Sequence, residues 1–315
     1  MTGEVNEGPA AAAASARSGD RGVPGGRPPG AAQPVYRPII RLGGRWAGQA
    51  DDYFAGRRAA AEPRDAASVL LLRAAPGASG VEVYMLRRAR SMAFAPGASA
   101  FPGGSVDPRD AEDDVAWAGP DAAAWGRLLD ASPSLARALV CAAVRETFEE
   151  SGVLLAGPAA GALVADTSGP DWEADRTALL DRSLSLAQLL ARRDLVLRSD
   201  LLRPWSRWIT PVTEARRYDT RFFAAALPPG QRTRDVGGEA EQVIWTRPAE
   251  AIRAAQAREL YLLPPTATCL AEVAGYPDVP AALSDEHSMR AVTPAVVRAD
   301  GAFWLTVPDD VRYPL

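Results

Sequence analysis

Apolar residues recur at helical spacing most clearly between Pro133 and Ser151, where Val140, Val144 and Phe148 fall on one side at about 100° per residue. Ser132 before Pro133 supplies an N-cap and a first helical residue, and Gly152 stands where a left-handed C-terminal glycine belongs. The pattern predicts a helix from Pro133 to Ser151. Upstream, the branched and aromatic runs Ser68 to Arg73 and Val81 to Arg88 flank the turn residues Pro76 to Gly80 and predict a hairpin. Weaker patterns predict helices around Asp51 to Ala61 and Asp121 to Leu129, a short strand at Val153 to Leu155, and one or two helices between Asp171 and Arg192. Within the last, Ser185 and Gln188 have capping-box spacing, and Leu179, Leu180, Leu184, Leu186, Leu189 and Leu190 form an apolar stripe for the core. Strands follow at Tyr218 to Leu227 and Val243 to Thr246, then a helix from Pro248 to Gln256. Asp300 and Gly301, between VVRA and AFWL, signal a hairpin expected to decorate a sheet edge.

Composition changes this picture at the N-terminus. Residues 1–33 are Ala, Gly and Pro with scattered charges, too poor in large apolar groups to offset chain entropy. They are expected to form a disordered tail, leaving 34–315 as one elaborated domain. The tail lacks both an apolar secretory core and a basic amphipathic face, and the final YPL is not a peroxisomal tripeptide, so no targeting is expected. The 315 residues are 47% apolar and 23% charged with net charge −4, which gives ample material for a core and no basic footprint for nucleic acid or an anionic membrane. No apolar run reaches the length of a membrane span. Cys141 and Cys269 lack close spacing and are expected as reduced, packed thiols in the cytoplasm. His287, the single histidine, cannot anchor a histidine metal cluster and is expected on the surface. The oligomeric state stays open.

The chemistry concentrates on the helix. Glu146, Glu149 and Glu150, spaced i, i+3 and i+4, project from the side opposite the apolar stripe. A solvated face would intersperse lysines, whereas here the nearby base is Arg145, four residues before Glu149, where it can orient a carboxylate. Clustered carboxylates without His or Cys partners select a hard, oxygen-liking ion, Mg²⁺ or Mn²⁺. In the upstream FPGG, Pro102 fixes the approach while Gly103 and Gly104 permit close contact that a Cβ would forbid, so bare backbone can face a metal or a phosphate. Arg87, Arg88 and Arg90 lie at the exit of the second strand, either as a solvated strand end or as guanidinium for phosphate. Trp205 and Trp208 read as core anchors, with adenine stacking as the alternative.

Arg145, Glu146, Glu149, Glu150, Gly152 and Val153 resemble the second half of the Nudix box, with Thr147 where that family prefers a bulkier aliphatic residue. Six residues after Gly104 the box's first acid would be Asp110, but Arg145 follows it by thirty-five positions instead of eight, so about 27 residues split the box and put Asp110 in question. The split and the text APGASAFPGGSVD look like the branch that includes the peroxisomal coenzyme A diphosphatases. The resemblance implies an α/β fold, the Nudix α/β/α sandwich with a mixed sheet, helical additions, and an insertion at about 107–131 packing over the outside. It implies a metal-dependent hydrolase attacking a pyrophosphate with a metal-positioned water. Glu146, Glu149 and Glu150 would hold the ions, Arg145 would orient a glutamate, and Glu146 or a loop acid, Glu239 or Glu241, would take the proton. Arg87, Arg88, Gly103 and Gly104 would meet the substrate, a small-molecule diphosphate expected to be coenzyme A or an acyl ester, whose 3'-phosphate ADP-ribose lacks. A pyrophosphatase of ADP-ribose or dinucleotides, and a non-catalytic nucleotide-binding regulator, remain alternative readings.

Overall fold

A computed structural model describes residues 36–77, 79–89, 95–111, 115–158, 161–234 and 240–315, the first two of the last segment as backbone only. The expected tail, Arg90, the insertion acids Glu112, Asp113 and Asp114, and Glu239 lie outside the described residues. In chain order the elements are β1 (Tyr36–Arg41), α1 (Gly44–Phe54), β2 (Arg64–Ala74), β3 (Val81–Arg88), β4 (Ser99–Ala100), β5 (Gly103–Ser105), a 3₁₀ turn (Pro108–Ala111), β6 (Trp117–Ala118), α2 (Ala122–Leu129) and α3 (Pro133–Ser151). Then come β7 (Ala156–Gly157), α4 (Pro170–Leu180), α5 (Leu186–Arg192), β8 (Val196–Arg198), a second 3₁₀ turn (Ser199–Leu201), β9 (Arg203–Ile209), β10 (Tyr218–Ala226) and β11 (Ala240–Thr246). Last are α6 (Pro248–Gln256), α7 (Pro264–Val273), α8 (Val279–Ser284), β12 (Ala291–Val292), β13 (Ala295–Ala299) and β14 (Ala302–Pro308).

The main sheet runs β11-β3-β2-β10-β9-β12 and is mixed, because β10 lies parallel to β2 and β12 parallel to β9 while the other pairs are antiparallel. β2 is buried on both faces, as its continuous apolar run requires. Its Ala67, Val69 and Leu71 join the core under α3, while Leu70 and Leu72 join a second core with Ala267, Cys269, Leu270 and Val273 of α7. Strand alternation thus produces the expected helix, sheet, helix layering.

β2 and β3 pair only near their turn, from Leu72↔Val83 to Ala74↔Val81. Beyond that they splay, and the chain's own return fills the gap, with Ser99 and Ala100 pairing on β3 and Gly103 to Ser105 on β2. This wedge sets FPGG against α3. The helix keeps its expected bounds: Ser132 Oγ accepts from the Leu135 amide at 3.2 Å, and Gly152 closes it at φ 73°.

Several expectations change. The insertion does not pack over the outside: Trp125 and Leu129 of α2 sit fully buried in the α3 core, with the Trp125 ring 5.8 Å from that of Phe223. Val153 to Leu155 is buried but is not a strand, because a side chain does the pairing: Gln231 bonds the Leu154 amide through Oε1 and its carbonyl through Nε2, each at 2.9 Å. α1 begins at Gly44, earlier than expected, after an extended Gly43. Asp300 and Gly301 turn at positive φ as expected, but β14 is the centre of a three-stranded sheet β1-β14-β13, not an edge decoration. Of the leucine stripe, Leu180 turns outward, 44% exposed. His287 is half-buried rather than superficial, its ring stacked 3.8 Å from that of Trp205. Cys141 and Cys269 are buried and unpaired. Among the described residues no helix is long and apolar enough to cross a membrane.

Candidate active site

The acidic face of α3 is not solvated. Arg145 and Glu149 are buried and Glu146 and Glu150 half-buried, and Glu146 and Glu149 gather around the Arg145 guanidinium. Arg145 donates from Nε and Nη2 to both oxygens of Asp110, each at 2.9 Å. Its Nη1 is shared between Glu146 Oε1 at 2.8 Å and Glu149 Oε1 at 3.2 Å, and Nη2 also reaches the Ser105 carbonyl. Asp110, which the split spacing put in question, is therefore in place: the 3₁₀ turn carries it back to α3, and it is 3% exposed. Its spacing from Gly104 was the signal; the insertion loops out after it.

Gly103 and Gly104 face this cluster in different ways. The Gly103 amide donates to Glu150 Oε2 at 2.7 Å. A Cβ on Gly104 would stand 2.6 Å from Glu146 Cδ, so the carboxylate occupies the space that glycine leaves. Arg176, which the sequence reading missed, donates to the Glu149 carbonyl at 3.0 Å and steadies the last turn of the helix.

Burial pushes the Glu146 carboxyl up to about 7, against Arg145 and with the help of Glu149. Glu149 is raised by the same burial, opposed by the Arg145 charge. Burial works against the Arg145 charge, but Asp110, Glu146 and Glu149 hold it protonated. Three carboxylates, those of Asp110, Glu146 and Glu149, thus share the buried Arg145 guanidinium. As placed, no three acidic, histidine or cysteine side chains among the described residues converge as a ready metal cage, since Arg145 and Gly103 hold their oxygens. The donor set still fits a hard divalent cation: it is all carboxylate and in excess of positive charge.

The cluster lines one side of a cleft of about 1530 Å³, together with Gly103, Gly104 and Arg88. Arg88 Nε is buried without a hydrogen-bond partner. Arg87, the neighbouring residue on the alternate strand face, does not line the cleft. Trp205 and Trp208 are buried, 1% and 4% exposed, as core anchors; Trp208 reaches the cleft wall. Glu241 enters β11, and its side chain lies outside the described residues.

Residues 127–272 match the NUDT19 Nudix domain, a span that includes all of α3 but starts after FPGG and Asp110. The chain is 29% identical over 322 residues to the acyl-coenzyme A diphosphatase NUDT19 of Gallus gallus, covering 80% of this chain and 80% of that relative. The protein of the same name in Homo sapiens is 30% identical over 252 residues, 67% of this chain and 64% of its own length. Among solved structures, a NUDIX hydrolase from Alicyclobacillus acidocaldarius is similar at TM-score 0.59 and 29% identity, covering 72% of this chain and 97% of that one. The family match spans the carboxylate helix α3, the relatives and the solved structure carry the same family name or its hydrolase activity, and the chain belongs to the Nudix hydrolase family.

Proposed function

We propose that this hydrolase cleaves the diphosphate of coenzyme A or its acyl esters, giving phosphopantetheine, acylated or free, and adenosine 3',5'-bisphosphate. The observation that carries the reading is the carboxylate cluster against Gly103 and Gly104 within a cleft larger than the roughly 300–1,000 Å³ of ordinary ligand sites, with Arg88 in its wall. A diphosphate alone would not need that room. The relatives named acyl-coenzyme A diphosphatases support the choice of substrate.

Glu146, Glu149 and Glu150 are the residues that would hold Mg²⁺ or Mn²⁺, which when bound neutralises phosphoryl charge and acidifies water. Glu146, whose Oε1 Arg145 fixes at 2.8 Å, is suited to take the proton as a water oxygen attacks phosphorus and the anhydride P–O bond breaks toward the leaving phosphate. Glu241 on β11 is the second candidate for that proton. Arg145 fixes the orientation of Glu146 and Glu149 through Nη1. Arg88 is suited to the 3'-phosphate. The two unpaired thiols support a reducing, cytoplasmic location.

The test compares kcat/KM for coenzyme A, 3'-dephospho-coenzyme A and ADP-ribose with Mg²⁺, with Mn²⁺ and with neither. Coenzyme A is expected to lead, and Arg88→Ala to narrow its advantage over the dephospho form. Preference for ADP-ribose would overturn the substrate assignment.

A further inference from the structure

Part of the cleft wall is built by segments remote from α3 in the chain, and its chemistry differs. Trp46 comes from α1, Glu214 from the loop between β9 and β10, and Tyr261 from the segment joining α6 to α7. They converge: Gln49, three residues after Trp46 on α1, accepts from the Ala215 amide through Oε1 at 3.2 Å, the Arg45 charge acts on both Glu214 and Tyr261, and the Arg45 guanidinium lies 4.5 Å from the centroid of the Trp46 ring. Tyr261 also adjoins the arginine wall. Its carbonyl accepts from the Ser99 amide at 2.8 Å, and Ser99 stands opposite Arg87, one residue from Arg88.

Tyr261 is 45% exposed, a large ring that the fold leaves open to the cleft. The Glu214 carboxylate, half-buried beside it, lines the same cleft, as does the exposed guanidinium of Arg216. Aromatic faces stack a purine, a carboxylate accepts from its exocyclic amine, and a guanidinium pairs with a phosphate. The pantetheine arm carries no charge and offers Arg88 and Arg216 no ionic partner, so it fits this part of the cleft less well.

We infer that Trp46 and Tyr261 form an adenine clamp in this cleft, with Glu214 reading the amino group and Arg88 and Arg216 meeting the phosphate on the ribose. The inference rests on the coenzyme A reading above. Its test measures inhibition of coenzyme A cleavage by each product separately, in the full chain and in Trp46→Leu and Tyr261→Leu.

Loss of either ring should raise the inhibition constant of adenosine 3',5'-bisphosphate about tenfold, equivalent to ~1.4 kcal/mol of stacking, and leave that of phosphopantetheine unchanged. If phosphopantetheine inhibition weakens instead, or if both or neither constant moves, the clamp is wrong. A second measurement needs no variant: the inosine counterpart lacks the amine, and should inhibit the wild-type chain at least tenfold more weakly than the adenosine product. Equal inhibition overturns the part assigned to Glu214. Failure of the wild-type chain to cleave coenzyme A would strike the underlying reading, and would be seen before any variant is made.

Discussion

Gly103 and Gly104 are neighbours with different reasons for lacking a Cβ. At Gly104 the added atom would meet the mobile end of Glu146, whereas at Gly103 it would meet the Ala67 backbone carbonyl at 2.5 Å. Gly104→Ala is therefore expected to keep most of its stability while displacing the carboxylate, with a loss in kcat on the order of 10²-fold. Gly103→Ala should instead destabilise by about 1–3 kcal/mol through forced strand movement. Urea unfolding beside steady-state kinetics separates the two; equal stability loss in both would contradict the Gly104 assignment. Glu214 gives a pH effect. Burial raises its carboxyl from 4.5 to about 7, against the Arg58 and Arg45 charges, so between those values the native state binds more protons than the unfolded chain. That contribution is favourable below about 4.5 and is lost as pH rises through 7. Glu214→Gln should gain stability relative to wild type across this window, with a constant difference above it; a pH-independent difference would show that the carboxyl is not raised.

At the scale of elements, the insertion is the informative piece. Its α2 helix is capped by Asp121, whose Oδ1 accepts from the Ala124 amide at 2.7 Å, and it drives Trp125 into the core. Trp125→Ala should cost about 3–5 kcal/mol, as for other large aromatic truncations in cores. A change below 1 kcal/mol in chemical denaturation would mean that α2 is the external decoration its place in the sequence suggests. The helix α3 was legible from end to end, because its cap, apolar stripe and terminal glycine are local signals. The segment 153–155 was not, because Gln231, 77 residues from Leu154, supplies its hydrogen bonds.

For the whole molecule, the excess of carboxylate on α3 ties metal binding to stability. An ion that binds only the folded chain adds about 2.7 kcal/mol at a hundred times its Kd. Mg²⁺ is thus expected to raise the melting temperature of the wild-type chain, and Glu150→Gln to remove that rise while leaving the apo chain as stable as before, since the amide oxygen can still accept from Gly103. An undiminished Mg²⁺ response in the variant would exclude Glu150 as a ligand. The sequence by itself determined the carboxylate helix, the glycine pair, β3 at its observed bounds and the family, because each rests on spacing within one short segment. Only the tertiary structure decided three other matters: that Asp110 reaches Arg145 across the inserted residues, that Arg88 rather than Arg87 faces the cleft, and that Trp46, Glu214 and Tyr261 line the same cleft. Those contacts join residues far apart in the chain, and strand splay, loop return and the phase of alternation on β3 set them; no local pattern encodes a meeting between segments that only packing brings together.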